Sequence, residues 1–150
     1  MAYSTDTDLL KYQPYVFEHG VASFEVFHAD AEADINRDIQ ILWLPAQSYF
    51  PCPVFPSSIS GIQSVAFDTT KLNPAQWMKA SVFKVLAAYV LPSLAASVGG
   101  EGFVAMIAFY DRQYCKELQS VFAAGVQYLN GSEYVSIYAK SPAEGNRLRR

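Results

Sequence analysis

Residues 73–125 contain the strongest folding signal in the chain, a pair of consecutive helices. The run Asn73-Pro74-Ala75-Gln76 predicts a helix start, because asparagine can cap a helix, proline suits the first helical position and glutamine at the third can return a hydrogen bond. From Trp77 to Val90 apolar side chains cover most of the helix circumference, which is typical of a helix that is central in a bundle or shared with another subunit. The segment therefore predicts a helical bundle, with a kink or stop at Pro92 and a turn at Gly99-Gly100.

The next helix is predicted from one apolar stripe that ends at a glycine. Its members recur three or four residues apart, as on one face of a helix, and are Phe103, Ile107, Tyr110, Tyr114, Leu118 and Val121. Gly125 supplies the stop. Alternating segments on both sides of Asn130-Gly131 carry the usual signal of a two-residue hairpin. Residues 126–138 therefore predict a short β ribbon, with an extended arm as the alternative.

The first 45 residues predict a broken helical pair followed by one stronger helix. Thr5 or Thr7 can cap a short helix, which Pro14 interrupts. From Ser23 an apolar stripe again follows helical spacing, and its members are Phe24, Phe27, Ala31, Ile35, Ile39 and Leu42. Pro45 ends this helix. The fold class predicted for the chain is thus mainly α, a small helical bundle.

A proline-punctuated segment over residues 45–72 separates the two helical halves and is too long for a routine connection. Its side chains are too apolar for a disordered segment, and Ile62 to Phe67 could pair as a short strand. We expect an ordered, protruding loop or hairpin that packs on a neighbouring component. The residues expected at that contact are Tyr49, Phe50, Phe55, Ile59 and Ile62.

The net charge of −3 combines two parts of opposite sign. From Lys140 onward the chain has four basic residues and one acidic residue, a charge of +3, so the preceding residues sum to −6. An acidic body argues against wrapping a duplex, since nucleic-acid binding usually needs a clustered basic face. We divide the chain into one domain, residues 1–140, and an extended basic C-terminal arm, residues 141–150.

Composition argues against several other protein classes. Lys79 and Lys84 interrupt Trp77 to Val98, the best candidate for a membrane span, and the first residues lack the basic and apolar regions of a secretory signal. We expect no membrane association, and synthesis inside a cell. The two cysteines, Cys52 and Cys115, are too few for a disulfide scaffold and lack the paired spacing of a zinc site.

The sequence contains no common catalytic or phosphate-binding motif. We expect His28 at the surface or in a cap, in a salt bridge with Glu25 or Glu32 one helical turn away, and Cys115 as a small buried hydrophobic residue. No catalytic residue, metal or cofactor is predicted. The alternative is a small helical enzyme or ligand-binding domain that uses Cys115 with His28 brought near by folding.

The order of several short segments resembles the head-tail connector proteins of tailed bacteriophages, also called adaptor or neck proteins. The resemblance covers nearly the whole chain except residues 45–72. The matching segments are Asp8-Leu9-Leu10-Lys11-Tyr12-Gln13-Pro14, Phe24…His28…Ala31…Asp34-Ile35-Asn36-Arg37, Gln76-Trp77-Met78-Lys79-Ala80, Tyr110…Tyr114…Glu117-Leu118, Gly125-Val126-Gln127-Tyr128 and Arg147-Leu148-Arg149-Arg150. The turn from Leu129 to Glu133 has fewer acidic residues than the family's pattern, so the resemblance implies no ion or partner role for that turn.

The resemblance implies a non-enzymatic virion protein at the head-tail junction, made in the host cytoplasm. Such proteins assemble as a ring, usually of twelve copies, beneath the portal vertex. The partners would be the portal protein, the next neck or tail protein, other copies of the chain, and viral DNA that passes through the channel without sequence-specific binding. Another neck or tail-completion protein of the same virion is the alternative within this class.

The resemblance and the residue pattern together suggest three contact regions. The portal-docking arm would comprise Ser141, Asn146, Arg147, Leu148, Arg149 and Arg150. The over-apolar central helix suits subunit contacts, for which we expect Trp77, Phe83 and Tyr89. A channel lining that repels DNA would be drawn from the acidic residues Glu25, Asp30, Glu32, Asp34 and Asp38.

Overall fold

The computed structural model describes residues 2–19, 21–43, 68–98, 101–130 and 132–137. The fold is mainly α with one small antiparallel ribbon, which confirms the predicted class. Its elements are α1 (Asp6–Tyr12), α2 (Glu25–Asp38), α3 (Pro74–Lys84), α4 (Leu91–Val98), α5 (Glu101–Ala124), β1 (Val126–Asn130) and β2 (Glu133–Ile137). The loop predicted over residues 45–72 is described only from Asp68 onward, and the predicted arm lies outside the described residues.

Helices α3 and α5 form the centre of the bundle and pack along each other. The stripe predicted for α5 is confirmed, because its last four members are buried and its first two pack against the same core. On α3 and the turns that follow it, the buried apolar residues include Trp77, Ala80, Val82, Phe83, Val85, Leu86 and Val90. Burial on most of the circumference within its own chain favours the first of the two predicted alternatives, a helix that is central in the bundle, over one shared with another subunit.

A π-helical segment, Val85–Val90, joins α3 to α4 without a break in the helical backbone. Pro92 lacks an N–H group and cannot donate to the carbonyl one turn earlier. The widened turn lies just before this position, so the chain changes helical pitch where we predicted a kink or stop, and the helix runs on to Val98.

The helix from Pro74 to Ala96 is long and apolar enough, by length and composition, to cross a membrane. The sequence prediction that Lys79 and Lys84 exclude such a span was therefore too strict. Core helices of helical bundles meet the same criterion, and contacts with α2 and α5 cover the apolar surface of this one.

Helix α2 brings its apolar face onto α3. Phe24, Ala31, Ile35 and Ile39 are buried and Phe27 packs against the core, as predicted. Leu42, however, is 59% exposed and Trp43 is 1% exposed, so the predicted last member of the stripe is wrong. The chain is π-helical from Ile39 to Trp43, and in this wider turn the fourth residue after Ile39, rather than the third, returns to the core face.

The start of α3 and the end of α5 meet at a joint that we call the ribbon joint, formed by Asn73, Gln76, Gly125 and Gln127. Asn73 caps α3 as predicted, since its Oδ1 accepts a hydrogen bond from the Ala75 N–H at 3.1 Å. Gln76 does not return a bond to the cap. Its Nε2 donates to the Gly125 carbonyl at 2.8 Å, and its Oε1 accepts from the Gln127 N–H at 2.9 Å. Gly125 has φ 89°, a conformation that favours glycine, which confirms the predicted stop of α5.

The ribbon pairs β1 with β2 in an antiparallel register that runs from Asn130 opposite Glu133 to Val126 opposite Ile137. Asn130 therefore lies inside β1, so the turn is displaced by one residue from the predicted Asn130-Gly131 pair. The other edge of β1 contacts the segment before α3, where Leu72 bridges to Tyr128 and the Asn73 N–H donates to the Gln127 carbonyl at 3.1 Å. Val126 and Tyr128 are buried, so one face of the ribbon packs on the helical body.

Candidate functional site

The N-terminal segment is fixed to the bundle by a set of side chains that we call the N-terminal polar network: Ser4, His28 and Ser81, which are buried, and Asp6, which is partly exposed. His28 Nδ1 lies 2.7 Å from Ser4 Oγ, and its Nε2 lies 3.1 Å from Asp6 Oδ1. Ser4 Oγ also lies 2.8 Å from Ser81 Oγ on α3. Because a carboxylate only accepts hydrogen bonds, Nε2 carries a proton. The network ties three parts of the chain together: the N-terminus, α2 and α3.

Asp6 has a second role at the start of α2. Its carboxylate accepts hydrogen bonds from Ser23 Oγ at 2.7 Å and from the Phe24 N–H at 3.2 Å. The negative charge thus lies beside the exposed N–H groups at the helix N-terminus, where the helix dipole favours it. Phe24, the residue at the cap position, has no capping side chain. Asp6 therefore shares the capping of α2 with Ser23, whose Oγ accepts a hydrogen bond from the Glu25 N–H at 3.2 Å.

The order serine, histidine and carboxylate in this network is that of a nucleophile, a base and an orienting group in hydrolases. A nucleophile must reach its substrate, whereas Ser4, His28 and Ser81 are all buried. The arrangement therefore suits the fixing of the fold, because each buried polar group has a partner and the partners come from distant parts of the chain. The prediction of a surface position for His28, paired with Glu25 or Glu32, is wrong.

A second group, the helix-junction cluster, joins α2 to the π-helical segment and to α5. Asp34 accepts a hydrogen bond from Tyr89 OH at 2.8 Å and one from Arg37 at 2.8 Å. Asp38 accepts one from Tyr114 OH at 2.5 Å. Lys84 Nζ lies 3.5 Å from Asp34 Oδ2, 4.0 Å from Asp38 Oδ2 and 4.8 Å from the centre of the Tyr114 ring. One ammonium group thus faces two carboxylates that are one helical turn apart.

Buried phenols make the fold sensitive to alkali. Burial, followed by the hydrogen bond to Asp38, raises the pKa of Tyr114, and burial raises the pKa of Tyr3. Burial and the bond to Asp34 raise the pKa of Tyr89 to about 12. A tyrosine in the unfolded chain ionises near pH 10, so above that pH the unfolded state binds fewer protons than the folded state. The free energy of unfolding should therefore fall from about pH 10 upward, by up to about 1.4 kcal/mol per pH unit for each buried phenol.

Urea unfolding followed by circular dichroism between pH 8 and pH 12 measures this loss. The Tyr114→Phe variant is the matched control, because it keeps the ring and removes the titrating hydroxyl, and its stability should depend less steeply on pH above 10. An unfolding free energy that stays constant from pH 9 to pH 12 in the unmodified protein would contradict the burial of these phenols.

The residues predicted for a subunit interface lie in different environments. Trp77 is 0% exposed and Phe83 is 6% exposed, so their side chains leave almost no surface for a neighbouring subunit. The Trp77 ring packs near Tyr3 and Phe122, and Phe83 packs near Tyr12 and Tyr110. Tyr89 is partly buried by Phe27 and Asp34. A helix that is apolar on most of its circumference is thus covered by its own chain.

His28 and Cys115, the two residues on which the enzyme alternative depends, have no described contact partner in common. His28 is bonded to Ser4 and Asp6, whereas Cys115 is exposed on α5. The prediction that Cys115 is buried is wrong, because the residue follows the buried Tyr114 and so lies off the apolar stripe, as Asp111, Arg112 and Lys116 do. Among the residues that the structure describes, no group of three or more His, Cys, Asp or Glu side chains could hold a metal ion.

Comparison with known proteins identifies no relative of this chain. No family model, no curated protein and no solved structure matches the chain. The function is therefore inferred from the residues of this chain and their arrangement.

Four of the five acidic residues predicted to line a channel divide into two groups, and the fifth, Glu32, is partly buried on α2. Asp34 and Asp38 are bonded within the helix-junction cluster. Glu25 and Asp30 are exposed on α2. A negative surface on α2 would therefore depend on the exposed pair, since the charges of the other two are offset by Lys84 and Arg37. The five predicted loop residues between Tyr49 and Ile62 and all six arm residues lie outside the described part of the chain.

Proposed function

We propose that the protein is a structural component of a tailed-bacteriophage virion that joins the capsid portal to the tail. In this proposal it forms a ring, usually of twelve copies in proteins of this kind, around the DNA channel at the head-tail junction. The C-terminal arm, residues 141–150, docks on the portal, and the opposite side of the ring receives the next neck or tail protein. Its action is geometric and requires no catalytic residue or cofactor.

One observation supports this proposal most directly. Two stretches of the resemblance to connector proteins, Gln76 to Ala80 and Gly125 to Tyr128, are far apart in sequence but meet at the ribbon joint. The Gln76 side chain bonds both the Gly125 carbonyl and the Gln127 N–H. These bonds bring the two matched stretches together in one structural feature of the fold. The match thus involves groups that set the direction in which the ribbon leaves the bundle.

The direction of the ribbon matters because the arm follows it in the sequence. Strand β2 ends at Ile137, and the basic residues of the arm come within the next thirteen positions. A charge of −5 over residues 1–140 and of +2 over the arm, residues 141–150, suits an arm that binds an acidic or polar groove on a partner. Ordering such a segment costs conformational entropy, and repeated engagement around a ring offsets that cost through effective concentration.

Removal of the arm should abolish association with the portal and leave the bundle folded. The test is light scattering of the full chain and of a chain that ends at Lys140, each alone and mixed with the portal complex of the same virion. We expect a joint particle of ring-like stoichiometry for the full chain only. Circular dichroism of the two chains should agree, because the helical core and the ribbon lie before the deleted residues.

The matched control separates the effect of the arm's charge from the effect of its length. It keeps all residues of the arm and replaces Arg147, Arg149 and Arg150 with serine. It should bind the portal more weakly than the unmodified chain. The binding that remains should depend less on salt concentration, since it rests on Leu148 and the backbone rather than on the arginine charges. A full chain that stays monomeric and does not bind the portal would contradict the proposed function.

A further inference from the structure

The outer edge of strand β2 lacks a cover among the described residues. Val135 pairs with Tyr128 and so points to the same face of the ribbon, the face that packs on the helical body. Tyr128 is 2% exposed, whereas Val135 is 38% exposed. The difference arises because β1 lies between β2 and the segment of Leu72 and Asn73, so that β2 is the last strand of the described sheet.

Hydrogen-bonded and non-hydrogen-bonded pairs alternate along the ribbon, and this alternation shows which backbone groups point toward that edge. Both the N–H and the carbonyl of Gln127 bond to residues on the far side of β1, Gln76 and Asn73. Gln127 and its partner Ser136 are therefore a non-hydrogen-bonded pair of the ladder, as are Leu129 and Tyr134 two residues on. In such pairs the backbone groups point away from the partner strand. The N–H and carbonyl groups of Tyr134 and Ser136 thus point outward at the open edge.

We propose that a second copy of this chain pairs with the β2 edge, antiparallel to it, about a two-fold axis at Val135. In this register Tyr134 of each copy lies opposite Ser136 of the other, and their outward groups can form four main-chain hydrogen bonds. Val135 lies opposite Val135, and Glu133 lies opposite Ile137, so no like charges face each other. The edge is thus complementary to itself in hydrogen bonding and places no like charges opposite each other.

The edge of β2 carries little of the protection that single edge strands usually have. Such strands often carry lysine, proline or an inward-pointing charge. Strand β2 reads Glu-Tyr-Val-Ser-Ile, without lysine or proline, and its one charge, Glu133, lies on the face of Val135 but at the turn end of the strand, so the centre of the proposed pairing, Tyr134 to Ser136, is uncharged. A two-stranded ribbon is marginally stable by itself, and each added strand extends the ladder. Across the two-fold axis the two ribbons form one four-stranded sheet.

This dimer is distinct from the ring of the proposed function. A two-fold contact uses the same surface on both copies and closes on itself, whereas neighbours in a cyclic ring contact each other through two different surfaces. The dimer is thus a state of the unassembled protein that separates when the ring forms. Only this last relation rests on the proposed function, and dimerisation itself is measured on the isolated chain without any portal.

Charge variants at Val135 test the register. In the Val135→Lys homodimer two lysines face each other across the axis, and in Val135→Glu two glutamates do. Each variant alone should dimerise at least about fivefold more weakly than the unmodified chain. An equimolar mixture of the two should recover dimers, because lysine then lies opposite glutamate. Sedimentation velocity over a range of protein concentrations, from micromolar to submillimolar, gives the dissociation constants.

The matched control is Val135→Thr, which keeps a β-branched side chain without charge and should dimerise like the unmodified chain. Circular dichroism of every variant shows whether the bundle is folded, and recovery in the mixture is possible only for folded chains. An unmodified chain that remains monomeric at all concentrations would overturn the proposal. So would single charge variants that each dimerise as strongly as the unmodified chain, since the contact would then lie elsewhere.

Discussion

Replacing Trp77 with alanine should lower the free energy of unfolding by about 3–5 kcal/mol, the usual cost of removing a buried tryptophan side chain. Trp77 is fully buried on α3 and packs near Tyr3 and Phe122, so the change opens a cavity between the N-terminal segment, α3 and α5. These elements come from three parts of the sequence, and none of them can close the cavity without moving the others. Urea unfolding of the isolated chain measures the loss.

The Trp77→Phe variant serves as the control for this prediction. It keeps an aromatic ring, and it gives up no hydrogen bond to the described residues, among which Trp77 Nε1 has no acceptor. Its loss of stability should be about half that of the alanine variant or less. The pair of variants also distinguishes a core residue from an interface residue. If Trp77→Ala unfolded like the unmodified chain but failed to assemble, Trp77 would belong to a subunit interface and the described packing would be incorrect.

Replacing His28 with leucine should cost about 2–3 kcal/mol, although leucine is apolar and of similar size. The substitution leaves Asp6 without the donor at Nε2 and removes the partner of Ser4 Oγ at Nδ1. A buried polar group without a partner costs about 1–3 kcal/mol. Part of this is offset, because Ser4 keeps its bond to Ser81 and Asp6 keeps its bonds from Ser23 and Phe24. Chemical denaturation at neutral pH is the measurement.

A double-mutant cycle with Ser4→Ala isolates the hydrogen bond from the change in packing. If the bond exists, the double variant should be more stable than the sum of the single losses predicts, by about 1 kcal/mol, because both partners are then absent. The Ser120→Ala variant supplies a second cycle with His28→Leu, since Ser120 is exposed on α5 and shares no described partner with His28, and this pair should be additive within about 0.5 kcal/mol. Additive losses for Ser4 and His28 would mean that the two side chains do not interact.

Helical periodicity predicted the bundle well because the apolar stripes on α2, α3 and α5 are long. The stripe on α5 repeats over six positions and needs no knowledge of its neighbours. The prediction failed at Leu42, where a π-helical turn shifts the register by one residue and buries Trp43 instead. Such a turn depends on packing between elements, and no local residue pattern signals it.

The N-terminal polar network could not be predicted from local patterns either. Ser4 contacts Ser81, 77 positions away, and His28, 24 positions away, and neither spacing corresponds to a helix or strand repeat. Cys115 is a different case, because the information was present. It lies next to Tyr114 on the side of the stripe that carries Asp111, Arg112 and Lys116, because adjacent residues point about 100° apart around a helix. The helical spacing of this stripe, applied to position 115, would have placed the thiol outside the core.

The ribbon joint determines how this protein responds to a mechanical load. The chain enters the ribbon at Val126 and leaves it at Ile137, and these two residues are paired side by side. A tension on the chain after Ile137 therefore opens the hairpin one pair at a time from that end, in the manner of a zipper, rather than shearing all its hydrogen bonds together. Strand β1 is held in a second way, because Gln127 is hydrogen-bonded to Asn73 and Gln76 at the start of α3. A force on β1 is therefore transmitted to α3 through these bonds as well as through the backbone at Gly125. A weak force on the chain after Ile137 thus separates β2 from β1 and extends this part of the chain, while β1 stays bonded to the bundle.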